Sequence, residues 1–386
     1  MNTLNKLLKN NMRQYSMIIA LLLIVILFQI LTNGTLLKPL NITNLILQNS
    51  YILVLAVGMV LVIITGHIDL SVGSIAAFVG AISAIFMVNM QMNPVLAVII
   101  CLSIGALIGA WQGFWVAYVG IPAFIVTLAG MLLFRGLTLV VLKGQSIAPY
   151  PESFQKISNG FLPDLFGGDS LHIFSIVIGL FISLILIAME IRTRNNQVKY
   201  QFDVLPKGLF FAKLIAIFVV INLFTYVLAT YRGIPNILII LFVIIAAYTF
   251  IMKKTIIGRH IYAVGGNLKA ASLSGVKTKQ VTFGVFVNMG VLSALSGLIF
   301  AARLNAATPR AGNLFELDAI AAVFIGGASA YGGVGTVIGA VVGGLVMGVM
   351  NNGMSILGLG IDWQQAIKGL VLLAAVAFDI INKKKS

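Results

Sequence analysis

Three short polar segments hold most of the side chains in this sequence that could do chemistry, and each is set among long apolar runs. The first is Thr65-Gly66-His67-Ile68-Asp69-Leu70-Ser71-Val72-Gly73-Ser74. Asp69 stands just before an apolar run, where a carboxylate suits the positive end of a helix dipole, and Ser71 offers an N-cap hydroxyl. Gly66, His67, Asp69, Ser71 and Gly73 read either as a capped tight turn or as a broken-helix element, the kind of irregular backbone that lines a cavity at membrane depth. The second segment runs over 258–276. Gly265 and Gly266 break the chain there, Asn267 can cap, and Gly275 can end a two-turn helix. Ala270, Ala271 and Ser274 are small, and Leu268 and Leu273 are apolar anchors. Such a helix is either a solvated surface element or one that inserts into a groove on another protein, with Ala271 at the close approach. The third segment, Arg303–Ile320, concentrates charge in Arg303, Arg310, Glu316 and Asp318. It reads as a polar connection, or as a place where a soluble partner docks or a polar solute enters. Arg135 lies inside an apolar run, where it needs a partner or must reach out to the interface.

Other chemistries lack their residues. No phosphate-binding G-x-x-x-x-G-K-[ST] loop occurs. There is no nucleophile with an aligned base and no pair of carboxylates within helical reach in the apolar runs. His67, His172 and His260 are far apart, and Cys101 is the single cysteine. No catalytic site, metal site or cofactor is expected, and the chain is not expected to be an enzyme.

The elements that must position these segments follow from composition. Of 386 residues, 60% are hydrophobic and 9% charged, with a mean hydropathy of +1.07. That leaves too few polar side chains to cover a soluble domain, so lipid must be the solvent for most of the surface. The net charge of +15 does not indicate nucleic acid, because the basic residues sit in short stretches between apolar runs. A helix needs roughly 17–25 apolar residues to cross hydrocarbon. This predicts spans near 17–32, 45–65, 71–90, 94–119, 122–142, 171–190, 209–230, 235–252, 281–302, 318–331, 335–352 and 364–381. The stretch 318–331, with Gly326-Gly327 inside it, is too short to span comfortably and predicts a re-entrant or broken helix. The fold class is therefore an all-α polytopic membrane protein of about ten to twelve transmembrane helices, forming one domain over 1–386. Lys6, Lys9 and Arg13 precede an apolar run that lacks a small-x-small cleavage pattern, so it reads as an uncleaved first span. Lys and Arg collect at the N-terminus, in 192–207, in 253–279 and at Lys383-Lys384-Lys385. That bias puts both termini in the cytoplasm and makes the number of crossings even. Gly105, Gly109 and Gly113, and likewise Gly335, Gly339 and Gly343 with Gly344 and Gly348, lay smooth stripes on helix faces. They predict close helix packing or helices that line a moving path. A weak echo between Asp69 with 75–84 and Asp318 with 320–330 suggests an inverted repeat.

The three segments together resemble a known family. Gly66–Ser74 resembles the G-G-I-D-L-S-V-G-S signature of ribose- and xylose-type ABC importer permeases, with His67 replacing the second glycine. Gly258–Gly275 resembles their G-R-x-x-x-A-x-G-G-N…A-x-x-S-G coupling segment, and Arg303–Ile320 their A-R…P-x-x-G…E-L-D-A-I-A-A stretch. Gly326-Gly327, Gly332-Gly333 and Asn351-Asn352-Gly353 fit the same pattern. Residues 171–230 look like a two-helix addition to the shorter ribose-type permeases and, with His67, resemble the xylose and multiple-monosaccharide branch.

The resemblance implies a permease subunit in a bacterial cytoplasmic (inner) membrane, surrounded by lipid and paired with a second copy as a homodimer. It implies an ABC ATPase subunit on the cytoplasmic side and an extracytoplasmic sugar-binding protein. Residues 253–280 become a cytoplasmic coupling loop, with Gly265, Gly266, Asn267, Ala270, Ala271, Ser274 and Gly275 at the ATPase. Arg303, Arg310, Glu316 and Asp318 become candidates for docking the binding protein. Gly66, His67, Asp69, Ser71 and Gly73 become candidates for the translocation path. The rival readings are an ABC permease for a nucleoside or signalling molecule, and an ion-coupled secondary transporter. The latter needs a carboxylate or histidine relay in mid-span, whereas Asp69, Glu190, Glu316, Asp318, Asp362 and Asp379 fall at predicted helix ends.

Overall fold

The structure, a computed structural model, describes residues 12–168, 171–202 and 204–384. Lys6, Lys9 and Lys385 lie outside these residues. The helices in chain order are α1 Met12–Leu31, α2 Pro39–Ile64, α3 Val72–Ala84, α4 Pro94–Phe114, α5 Ala123–Leu142, α6 Glu152–Asn159 and α7 Ile173–Lys199. They continue as α8 Lys207–Ala229, α9 Asn236–Lys254, α10 Ile256–Gly266, α11 Leu268–Leu273, α12 Thr278–Leu304, α13 Phe315–Ile325, α14 Val337–Ile356 and α15 Ile361–Lys384. One π-helical turn extends α3 (Ile85–Asn89) and another extends α4 (Trp115–Val119). Among the described residues, 9 helices are long and apolar enough to cross a membrane. The apolar Met17–Leu31 of α1 and the 24-residue α15 flank them. The protein is an all-α polytopic membrane protein.

Local chemistry sets the helix ends. Pro39 and Pro94 open α2 and α4, where the missing N–H costs nothing. Asn93 accepts from Val95 N at 2.9 Å, and Thr336 accepts from Gly339 N at 3.0 Å, so both cap by side chain.

Two long helices, α2 and α12, form the centre and run antiparallel. Gly58 lies against Met289 and Leu292, and Ser296 Oγ donates to Tyr51 O at 3.1 Å. The helix that follows each central helix packs on the other one: α3 lies along α12, and α13 lies along α2. Next outward, α4 packs on α12 and α14 on α2. The first glycine stripe lies in the α4–α12 contact and the second where α14 meets the end of α13. Gly105 meets Gly290 and Ala294, Gly109 meets Phe286 and Val287, Gly339 meets Gly326, and Gly343 meets Ala322. A side chain at any of them would push two helices apart.

Because α2 and α12 are antiparallel, Leu304 ends α12 on the face opposite Ile64. The chain returns from there through α13, which starts earlier than expected, at Phe315, and stops before Gly326-Gly327. A glycine-rich stretch of turns completes the crossing, and Gly333 N–H donates to Ile64 O at 2.8 Å. Helix plus glycine segment therefore make one crossing. Through this alternation the start of α1, the end of α15 and the α10–α11 segment share the Ile64 face. The opposite face is closed by 143–168 with α6. Ile147 and Ala307 exchange two backbone bonds at 3.0 Å, and Tyr150 hydroxyl donates to Gly80 O at 2.9 Å.

The helices α7 and α8 pair mainly with each other. Gly179 abuts Thr225, Asn222 Nδ2 donates to Ser183 Oγ at 3.1 Å, and Lys213 pairs with Glu190 at 2.7 Å. At one end the hairpin is tied to the bundle: Ile234 N–H donates to Ser175 Oγ at 3.1 Å, just before α9.

Candidate functional site

The helix α2 ends at Ile64 and the chain turns on Gly66, whose φ of +81° is left-handed. From there to Ser71 the chain forms a broken element at the heart of the bundle. Asp69 is 1% exposed. Its Oδ1 accepts from both Ser71 N–H, at 2.8 Å, and Ser71 Oγ, at 2.6 Å. Gln112 Nε2 of α4 donates to Ser71 Oγ at 2.8 Å, and Thr127 Oγ1 of α5 reaches Ile68 O at 3.4 Å. Ser71 does not cap α3 with its hydroxyl as expected. Its backbone is already helical and its Oγ is used up between Asp69 and Gln112, so the carboxylate takes the capping part instead. Asp69 Oδ2 is buried with no partner. His67 lies beside the Phe286 ring, centroids 5.9 Å apart.

The first and third polar segments meet here. Gly73 and Gly312 pack backbone to backbone, and the Glu316 carboxylate lies beside Gly73 with Oε2 buried and unpartnered. Arg135 finds a backbone partner. Its Nη1 donates to Ala311 O at 2.6 Å, which fixes the 305–314 turn against α5. Tyr51 of α2 stacks on Phe315, centroids 4.2 Å apart. Asp318 pairs with Lys368 of α15 at 2.9 Å. Glu316 and Asp318 are thus buried by the first turn of α13 and do not face outward for docking. Of the four docking candidates, Arg310 is exposed and Arg303 half-buried.

The coupling segment stands apart, on the Ile64 face. The chain breaks at Asn267 rather than at Gly265-Gly266, which α10 absorbs. Gly265 is pressed against Ile64 O and Gly333 N, a contact only glycine admits, and Tyr262 hydroxyl donates to Gly335 O at 2.7 Å. As expected, Asn267 Oδ1 accepts from Ala270 N–H at 3.0 Å, and Gly275 ends the segment at φ +83°. The helix between them is shorter than two turns, at 6 residues. Ala271 is 5% exposed and packed within its own chain, so it is not the residue that meets a partner. Leu273, 90% exposed, and Leu268 project instead. Behind them a cavity of ≈ 580 Å³ opens between α9, α10 and α12, lined by Tyr248, His260, Lys277, Gln280 and Asn288.

Sequence reasoning missed Gln112 and Lys368. The signal for Gln112 was a polar side chain in an apolar run beside the Gly109–Gly113 stripe. Lys368 carried no signal beyond a charge in the last apolar helix.

The site is thus a broken, carboxylate-bearing element between antiparallel helices of a membrane protein, with a capped and exposed helix on one face. The family model for branched-chain amino acid transport system / permease components matches residues 41–376, and the chain belongs to that family. The xylose transport system permease protein XylH of Haemophilus influenzae is 40% identical over 382 residues, 98% of this chain and 99% of that protein. XylH of Escherichia coli K12 is 38% identical over 376 residues, 97% and 94% of the two chains. The ribose import permease protein RbsC of Escherichia coli K12 is 34% identical over 374 residues, 97% and 95%. These relatives bear out the resemblance to ribose- and xylose-type permeases. No solved structure matches the chain.

Proposed function

We propose that this chain is the permease subunit of an ATP-driven importer of monosaccharides, with xylose the first sugar to test and ribose the second. The observation that carries this is the 40% identity to a xylose permease over 98% of the chain. In this reading two copies form the membrane unit, an extracytoplasmic protein delivers the sugar, and ATP is hydrolysed on a separate chain. The Ile64 face is cytoplasmic, as the basic residues of 192–207 and 253–279 favour. Leu268 and Leu273 of α11 seat in the ATPase. Arg310, with Arg303 behind it, meets the binding protein.

The geometry supports a route from ATP to the gate. ATPase movement pulls on α11. Through Gly265, that motion reaches Ile64 and Gly333, which are the end of α2 and the tail of the α13 crossing. These two lead directly into the Asp69 element and the Glu316 turn, where Gly73 and Gly312 close the middle of the bundle. Opening that contact exposes the unpartnered oxygens of Asp69 and Glu316, which are acceptors suited to sugar hydroxyls.

The test is reconstitution with the ATPase and binding protein, where ATP-dependent xylose uptake is expected to exceed uptake of ribose or leucine. The chain alone is expected to accumulate no sugar under a proton or sodium gradient. Gradient-driven accumulation without the ATPase would favour a secondary transporter.

A further inference from the structure

The α7–α8 hairpin ends, on the side away from Ser175, in a collar rich in cations. Residues 190–213 hold Arg192, Arg194, Lys199, Lys207 and Lys213 against Glu190 and Asp203. Glu190 is taken by Lys213 at 2.7 Å. Among the described residues no carboxylate pairs with Arg192, Arg194, Lys199 or Lys207.

The arrangement is built rather than loose. Arg194 Cζ sits over the Phe210 ring, 4.3 Å from its centroid, and Nη1 is buried with no acceptor. Phe210 and Lys207 are one turn apart on one face of α8, so Lys207 shares the side that Arg194 touches. Arg192 and Lys199 are two turns apart and share a face of α7. Tyr200 and Phe202 beyond them are 68% and 66% exposed, as amphipathic rings are at a headgroup level. A guanidinium clamped on a ring, with a dry donor left over, calls for an anion with several acceptor oxygens. Two apolar helices of 27 and 23 residues then run on from the collar, leaving room for acyl chains alongside.

We propose that this collar is a binding site for an anionic phospholipid, its phosphate held by Arg194 and Lys207 with Arg192 and Lys199 at the rim. The site lies away from the broken element and the coupling helix, and it does not depend on which sugar is carried. Its role is to seat a hairpin whose other end alone is bonded to the bundle.

The test uses the full chain in detergent, mixed with phosphatidylglycerol or with phosphatidylcholine of equal acyl length, and read by native mass spectrometry. Phosphatidylglycerol retention is expected to exceed phosphatidylcholine retention by about tenfold or more, since each cation near a headgroup contributes about fivefold. That preference is expected to shrink as salt is raised. R192Q/R194Q/K199Q/K207Q is expected to bring the two lipids level, and R194Q alone to remove part of the difference. Equal retention of both lipids by the unmodified chain overturns the proposal, and so does a preference that all four substitutions leave intact. Displacement of the lipid by millimolar inorganic phosphate assigns the collar to a free anion and overturns it as well. If the fourfold variant does not fold, R194Q alone decides the question: a preference that it leaves unchanged overturns the proposal.

Discussion

Ser71 joins two helices through one hydroxyl. It donates to Asp69 and accepts from Gln112, so Ser71→Ala leaves a buried carboxylate and a buried amide each short of a partner. That substitution is expected to cost about 2–3 kcal/mol. Asp69→Asn keeps an acceptor at Oδ1 and is expected to cost about 1 kcal/mol, while slowing coupled transport far more than it lowers stability. Thermal unfolding in detergent orders the two, and a Ser71→Ala protein that melts like the parent would refute the junction. Lys368→Met leaves Asp318 buried and unpaired, with an expected loss of about 3 kcal/mol. Adding Asp318→Asn is expected to restore most of that loss. At this scale the sequence was partly legible. It marked Asp69 and Glu316 as special because charge is scarce in the chain. It did not say that Glu316 and Asp318 turn inward, because composition does not record which way the first turn of a helix faces. That orientation comes from Tyr51 stacking on Phe315 and from Lys368, a helix and 50 residues away from Asp318 in sequence.

The coupling helix was legible in its ends and illegible in its sides. Asn267 and Gly275 are local backbone requirements, which a sequence states directly. The burial of Ala271 depends on neighbours supplied by the rest of the fold. Leu273→Glu and Ala271→Glu therefore separate two effects. Leu273→Glu is expected to leave the melting temperature unchanged and to abolish co-purification with the ATPase, since the side chain is 90% exposed. Ala271→Glu is expected to destabilise the chain itself by several kcal/mol, because a charge is placed where no partner waits. Gly265→Val presses on Ile64 O and Gly333 N, and is expected to let the ATPase bind but to uncouple its hydrolysis from uptake. Normal coupling in that variant would remove the junction from the route. The short α13 was legible as an apolar run too brief to span, and Gly326-Gly327 announced where it would stop.

Across the whole molecule, the spans follow from apolar length alone, whereas the reciprocal packing of α3 on α12 and α13 on α2 does not. Every apolar helix carries the same signal toward lipid, and only shape decides neighbours. The shared face of the start of α1, the end of α15 and α11 leads to a direct test. Ser274→Cys and Arg310→Cys occupy opposite faces, and Cys101 is buried, so background labelling is low. In intact cells an impermeant thiol reagent is expected to label Arg310→Cys and not Ser274→Cys, with the reverse in inside-out vesicles.

The side of α2 toward α14 and its side toward α12 are joined in different ways. Against α14, Asn41 and Asn352 exchange two amide bonds at 2.7 and 3.1 Å, and Asn49 fills the notch of Gly348. Against α12, Gly58 meets the pliant thioether of Met289 and the side chain of Leu292. The first joint is pinned by side-chain amides, and the second is tied by Ser296 Oγ to Tyr51 O and otherwise packed by pliant side chains. If the proposed coupling holds, a stroke delivered at Ile64 is expected to carry α2 and α14 together as one stave and to be taken up along α12, which makes the seam between the two central helices the bearing of the machine.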